Sequence, residues 1–91
     1  MNRTELIDAA AGAADLSPDD MARALDALTA TITQRVARGD RVAVAGFGHF
    51  ECKVRAPRTG RNPRTGEEIE IGERRLPAFK AGKAFKDAVA G

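Results

Sequence analysis

The chain is poor in cysteine and histidine, the usual ligands of structural zinc and, for cysteine, the residue of disulfides. It contains one cysteine, Cys52, and one histidine, His49, among 91 residues. A single cysteine cannot form a disulfide within the chain, and these two residues cannot supply the four ligands of a structural zinc site. The only serine, Ser17, precedes a proline at a predicted helix start, so a Ser-His-Asp triad is not expected. We therefore expect a protein without cofactors or catalytic activity, in a reducing compartment.

Aromatic residues and long apolar runs are also scarce. There is no Trp or Tyr and there are four Phe, although 43% of the residues are apolar, as in a globular chain. No run of 18 apolar residues could span a membrane, and the first residues lack the apolar stretch of a signal peptide. We expect one soluble, cytoplasmic domain with no membrane partner and no small-molecule substrate. A monomer of this length can form only a marginal core.

Charge is distributed unevenly, although the net charge is only +2. Residues 1–45 carry five Lys or Arg against seven Asp or Glu, whereas residues 46–91 carry ten against six. No acidic residue occurs in 53–66, and within it 58–66 reads Arg-Thr-Gly-Arg-Asn-Pro-Arg-Thr-Gly. Guanidinium groups suit phosphate oxygens, while Gly and Pro allow the chain to reverse in a narrow space. The pattern indicates a surface for a polyanion, with a nucleic-acid groove as the best fit.

Two helices are predicted in the first part of the chain. Asn2, with a glutamate three residues later, resembles a capping box, and the following apolar spacing predicts a helix that ends near Ala14. Ser17 is a typical N-cap and Pro18 suits the first position of a second helix. Apolar residues then recur at helical spacing until Gly39, which predicts the C-terminal stop. The second helix is therefore long and amphipathic.

Beyond Gly39 the apolar period changes to two, which predicts an antiparallel sheet. Residues 42–44 form one strand, 46–48 form a Gly-Phe-Gly turn, and the next strand continues from Phe50. In that strand Cys52 lies on the apolar side, where a small buried residue is predicted rather than a nucleophile. His49 falls on the polar side and is predicted to be an ordinary surface residue.

A protruding arm is predicted from the scarcity of large apolar side chains. The segment 53–76 has the pattern of two long strands joined at a tip near Asn62 and Pro63. Residues 56–66 contain no large apolar side chain that could fold back on a core. Such a ribbon is mobile when free and is ordered by its partner. A short helix over 81–89 completes an α+β fold with the order helix, helix, sheet, helix.

The arm supplies the predicted contacts with DNA. The minor groove concentrates negative potential and admits extended chain more easily than a helix. Phosphate and minor-groove contacts are therefore assigned to Arg55, Arg58, Arg61 and Arg64. Asn62 is predicted to touch base edges. Pro63 is predicted to act as a rigid wedge between base steps, which unstacks them at roughly a few kcal/mol per step and bends the duplex.

Three motifs carry a resemblance to a known family. They are the Gly-Phe-Gly-His-Phe turn at 46–50, the arm at 58–66, and the Pro-Ala-Phe-Lys-Ala-Gly-Lys segment at 77–83. In this order, behind two helices, they resemble the bacterial histone-like HU family over nearly the whole chain. Insertion of an apolar wedge between base steps is a known property of that family.

The resemblance implies an intertwined homodimer whose two arms embrace DNA. Residues 1–45 would form the helical dimerisation base and the first strand, 46–80 the saddle sheet with its arm at about 55–75, and 81–91 the C-terminal helix. The shared core would be filled by Phe47, Phe50 and Phe79. The saddle and its flanks would contact phosphates through Arg3, Lys53, Arg74, Arg75, Lys80, Lys83 and Lys86.

The sequence thus predicts a non-enzymatic architectural protein of the bacterial nucleoid. It would bind duplex DNA with little sequence preference, bend it, and compact or stabilise the chromosome. Two alternatives stay open. A site-specific DNA-bending protein of the integration-host-factor type would share the arm and its proline. A ribosomal-type RNA-binding protein with an extended basic loop would instead prefer the wide, shallow minor groove of A-form RNA.

Overall fold

The computed structural model describes all residues from Met1 to Gly91. Its helices are α1 (Arg3–Ala14), α2 (Pro18–Ala37) and α3 (Lys83–Ala90). Its strands are β1 (Val42–Val44), β2 (Gly48–Arg55), β3 (Arg58–Arg61), β4 (Glu68–Ile71) and β5 (Arg74–Ala81). This order confirms the predicted α+β fold. The chain divides into two compact units, Met1–Gln34 and Arg35–Gly91, and none of the helices is long and apolar enough to cross a membrane.

The helix starts in the first unit are capped as predicted. The Asn2 side-chain oxygen accepts the Glu5 N–H at 2.9 Å, and Ser17 Oγ accepts the Asp20 N–H at 3.1 Å. Each bond satisfies a backbone donor that the first turn leaves without an intrahelical partner. Helix α1 ends at Asp15, whose φ of 56° lies in the left-handed region. Local backbone and side-chain contacts therefore determine where α1 begins and ends and where α2 begins.

The C-terminal end of α2 lies in the second unit and is closed by two contacts. Gly39 has a φ of 93°, and its N–H donates to the carbonyl oxygen of Val36 at 2.9 Å. This glycine was predicted as the stop, because only a residue without a Cβ adopts that conformation easily. The guanidinium of Arg75, in β5, donates to the carbonyl oxygen of Ala37 at 2.8 Å. A cation at this helix end also complements the negative end of the dipole.

Strands β1, β2 and β5 form a three-stranded antiparallel sheet with β2 in the middle. Phe50 of β2 pairs with Val42 on one side and with Phe79 on the other. Cross-strand partners lie on the same face, so these residues build an apolar face. Cys52 lies on that face as predicted, but within the single chain it is half-buried rather than buried.

The arm, residues 55–75, is less continuous than predicted. Strand β2 ends at Arg55, opposite Arg74, and pairing resumes with β3 and β4. Between these ladders lie Pro57 on the outgoing side and Gly72 on the returning side. Proline has no N–H to donate to a ladder, and glycine weakens a strand interior. Each of the two long strands predicted over 53–76 is therefore interrupted once, and the antiparallel pairing falls into two separate ladders.

The last helix begins two residues later than predicted. Ala81 still pairs with Gly48 in the sheet, so it cannot be the first helical residue. The N–H of Gly82, the N-cap, donates to the carbonyl oxygen of Phe47 at 2.8 Å. Pairing across the sheet thus overrides the helical pattern at the start of α3, and the helix runs from Lys83.

Very little apolar surface is buried within one chain. The buried residues are Ala11 and Val36, at 2% and 8% exposure. The accessible surface is 7310 Å², whereas a folded monomer of 9.7 kDa exposes roughly 5,100 Å². The exposed large hydrophobic residues are Met1, Leu6, Leu16, Leu28, Val44, Phe47, Val54, Ile69, Leu76, Phe79 and Val89. So small a buried core is insufficient for a stable monomer.

Candidate nucleic-acid interface

One face of the three-stranded sheet is rich in positive charge. In β2 every second residue from His49 to Arg55 points to this face, and each shares it with its partner in β5. Arg55 lies opposite Arg74, and His49 lies opposite Lys80. We call this surface the polar face; its charged or titratable residues are His49, Glu51, Lys53, Arg55, Arg74 and Lys80.

Arg75 is separated from this set. It pairs with Val54 and therefore lies on the opposite, apolar face of the sheet. Its guanidinium is occupied by the carbonyl oxygen of Ala37. The structure thus does not bring Arg75 to the polar face, and we assign it a structural contact in place of the predicted phosphate contact. Neighbours in a strand point to opposite faces, so Arg74 and Arg75 could not share one surface.

The tip of the arm is a hydrogen-bonded turn. The N–H of Asn62 donates to the carbonyl oxygen of Glu67 at 2.9 Å, and the N–H of Gly66 donates to that of Asn62 at 2.7 Å. The Asn62 side-chain oxygen accepts the Arg64 N–H at 2.9 Å. Pro63 is exposed within this turn. The turn therefore leaves the proline ring exposed. The amide nitrogen of Asn62 has no partner within the chain, while its oxygen already accepts one bond.

Arginines project from both faces of the ribbon formed by β3 and β4. Arg58 and Arg61 are three residues apart in β3, and this odd spacing places them on opposite faces. Several predicted DNA-contacting cations are exposed and make no ion pair or side-chain hydrogen bond within the chain. They are Lys53, Arg55, Arg58, Arg61, Arg64, Arg74 and Lys86. These side chains are available to phosphate oxygens without loss of an existing contact.

Three further cations that were predicted to contact DNA each pair with a carboxylate in the chain. Arg3 pairs with Asp26, Lys80 with Glu51 at 3.3 Å, and Lys83 with Asp87 at 2.7 Å. Arg3 belongs to the first turn of α1 and not to the sheet. Exposed pairs of this kind contribute little to stability, so a phosphate can compete for the cation.

The sequence analysis missed a charged cluster on the polar face. Glu51 Oε2 lies 3.6 Å from His49 Nε2, and Arg41 Nη2 lies 3.1 Å from His49 Nδ1. The hydrogen bond from Lys80 lowers the pKa of Glu51 below its ordinary value; partial desolvation opposes this and neighbouring positive charges reinforce it. His49 is thus not an isolated surface residue. Its alternation with Glu51 and Lys53 in β2 was the available signal.

Comparison with known proteins covers essentially the whole chain. Residues 1–90 match the family described as bacterial DNA-binding protein. The chain belongs to this family. DNA-binding protein HU 1 of Bacillus subtilis is 54% identical over 91 residues, which covers 100% of this chain and 99% of that protein. DNA-binding protein HU-beta of Escherichia coli K12 is 54% identical over 89 residues, or 98% of this chain and 99% of that protein.

Solved structures of HU proteins share the fold of this bacterial DNA-binding protein. A chain of the Anabaena HU–DNA cocrystal structure matches with a TM-score of 0.89 and 46% identity, over 99% of this chain and 98% of that one. HU from Thermotoga maritima matches with a TM-score of 0.68 and 34% identity, over 98% of each chain. The resemblance to the HU family that was based on three motifs is therefore confirmed.

The phenylalanines of this family member meet at one end of the sheet. The ring centroid of Phe79 lies 4.9 Å from that of Phe50 and 5.2 Å from that of Phe47, while Phe85 lies 5.1 Å from Phe47. Phe47 and Phe79 are nevertheless 43% and 41% exposed. The structure brings the predicted core residues together and adds Phe85 of α3. Exposed aromatic clusters of this kind mark a surface that a partner covers.

Proposed function

We propose that this chain is a homodimeric architectural protein that binds duplex DNA with little sequence preference, bends it and compacts the bacterial chromosome. The observation that carries the proposal is the arm, an exposed ribbon with unpaired arginines on both faces and Pro63 at its tip. Membership of a DNA-binding family, with relatives named HU, supports DNA as the polyanion.

The geometry of the arm suits the minor groove. A ribbon with Arg58 on one face and Arg61 on the other can reach the phosphates of both groove walls. Of the tip residues, Asn62 alone has an amide that could read a base edge, and the minor groove distinguishes little beyond A·T from G·C. Affinity therefore comes mainly from phosphate contacts, and sequence preference is weak.

The tip proline is proposed to wedge between base steps, and Pro63→Ala tests this. Without the rigid ring between them, the base steps lose the contact that offsets the free-energy cost of unstacking. We therefore expect a clearly smaller bend angle, with less than about a tenfold loss of affinity on a prebent or nicked duplex. The measurement is fluorescence transfer across a short duplex labelled at both ends, over a salt series. Pro57→Ala, the same change at the base of the arm, is the control. An unchanged bend angle for Pro63→Ala would remove the wedge from the proposal.

The same duplex assay separates the alternatives. Random and selected DNA sequences bound with similar affinity support a nonspecific architectural protein, whereas a strong preference for one sequence supports a site-specific protein of the integration-host-factor type. Preference for an A-form RNA duplex over DNA would support the RNA-binding alternative.

The homodimer is proposed because a single chain leaves its apolar surface uncovered. With two buried residues and exposed Phe47 and Phe79, folding and association should be one step. We expect the midpoint of thermal unfolding to rise with protein concentration, and sedimentation to give twice the mass of the chain. A midpoint independent of concentration, with the mass of one chain, would contradict the dimer.

A further inference from the structure

The charged cluster on the polar face joins β2, β5 and the residue before β1, with Glu51 at its centre. Glu51 Oε1 lies 3.3 Å from Lys80 Nζ of β5, and Glu51 Oε2 lies 3.6 Å from His49 Nε2 of β2. Arg41, directly before β1, reaches the other ring nitrogen of His49. The side chains of Glu51 and His49 are only 25% and 21% exposed, whereas that of Lys80 is 56% exposed. The acid therefore holds cations on a surface that otherwise lacks acidic side chains.

We propose that Glu51 limits the affinity of the polar face for DNA by competing with phosphate for Lys80. This inference rests on the proposed function and adds a residue that limits affinity without contacting DNA itself. Lys53, Arg55 and Arg74 share the face but have no carboxylate partner. Lys80 is thus the one cation of this face whose charge is neutralised within the chain.

Competition follows from the chemistry of the two acceptors. A lysine ammonium forms its short, charge-assisted bonds with either a carboxylate or a phosphate oxygen, and the nearby carboxylate also repels the phosphate. Glu51 is ionised at neutral pH, as an ordinary glutamate is, and the hydrogen bond from Lys80 lowers its pKa further. A phosphate contact releases a counterion from DNA only when the lysine is free to make it. Removal of the carboxylate charge should therefore add one effective phosphate contact per chain.

The test compares the DNA affinity of Glu51→Gln with that of the wild-type chain, by fluorescence anisotropy on a short random duplex. We expect binding about three- to tenfold tighter at low salt, with a logarithmic salt dependence steeper by roughly one unit per chain. Asp8→Asn, the same charge change on the exposed surface of α1, is the control and should leave the slope unchanged. In a Lys80→Met background, Glu51→Gln should no longer steepen the slope.

An unchanged salt slope for Glu51→Gln, with duplex binding by the wild-type chain, would overturn the inference and leave the proposed function standing. A wild-type chain that bound no duplex at all would overturn both.

Discussion

Replacement of Gly48 with alanine is expected to abolish the folded sheet. A Cβ at this position would lie 2.4 Å from the backbone oxygen of Lys80 and 2.7 Å from Cζ of Phe79. Real Cβ atoms essentially never approach closer than 3.0 Å. Neither neighbour can move freely, because the oxygen belongs to β5 and the ring packs between Phe47 and Phe50. We expect a loss of more than about 4 kcal/mol of unfolding free energy, beyond the usual effect of a point mutation.

Two matched glycine substitutions control for the change of residue itself. The Cβ added by Gly72→Ala would meet open space, and Gly72 does not have a positive φ. The free energy of unfolding should therefore change by less than about 0.5 kcal/mol. Gly12→Ala also meets open space and lies within α1, where alanine is favoured by about 0.5–1 kcal/mol. Circular dichroism measures the secondary structure, and chemical denaturation the free energy of unfolding, of all three variants. A Gly48→Ala chain with the wild-type midpoint would mean that β2 and β5 do not pack this closely.

Loss of Gly48 should also remove function indirectly. The clash lies where β5 carries Phe79 of the aromatic cluster next to Lys80 of the polar face. Loss of the pairing between β2 and β5 would therefore disrupt both the proposed dimer core and the proposed DNA-contacting surface. No duplex binding is expected from this variant at any concentration at which it remains unfolded.

Neutralisation of the arm should produce the largest loss of DNA affinity in a fully folded chain. In Arg58→Gln/Arg61→Gln/Arg64→Gln, each arm of a dimer loses three exposed, unpaired guanidinium groups. The logarithmic salt dependence should become shallower by roughly five units, and affinity at low salt should fall by about a thousandfold. Stability should change by less than about 0.5 kcal/mol per substitution, because none of these side chains has a contact to lose.

A second triple variant tests position against net charge. Arg23→Gln/Arg35→Gln/Arg38→Gln removes the same charge from α2 and the residue that follows it. If the arm enters the groove, this variant should keep most of its affinity and nearly the wild-type salt slope. Equal losses in both triple variants would show that binding follows overall charge, and the role of the arm would have to be abandoned.

The boundaries of α1 and α2 and the position of the arm could be predicted because their signals are local. An N-cap such as Asn2 or Ser17, and a stop such as Gly39, acts on backbone groups within one turn of itself. The arm was evident from a stretch without large apolar side chains and from alternation on both sides of it. The three motifs added the family, which the comparisons confirmed over residues 1–90.

Contacts between distant residues could not be predicted in the same way. Whether Arg75 or Arg74 lies on the polar face depends on strand register, because a shift of one residue moves every side chain to the other face. The cluster of Glu51, His49 and Lys80 requires β2 and β5 to be aligned, and Arg41 joins it only because β1 lies on the other side.

By itself the sequence determined the helix caps, the α+β order, the basic arm with its proline tip, and the family. The tertiary structure alone decided the contact of Arg75 with the end of α2, the entry of Phe85 into the aromatic cluster, and the pairing of Lys80 with Glu51. The physical reason is distance along the chain. Caps and turns depend on neighbours within a few residues, whereas packing and charge pairing depend on which strands meet and in which register.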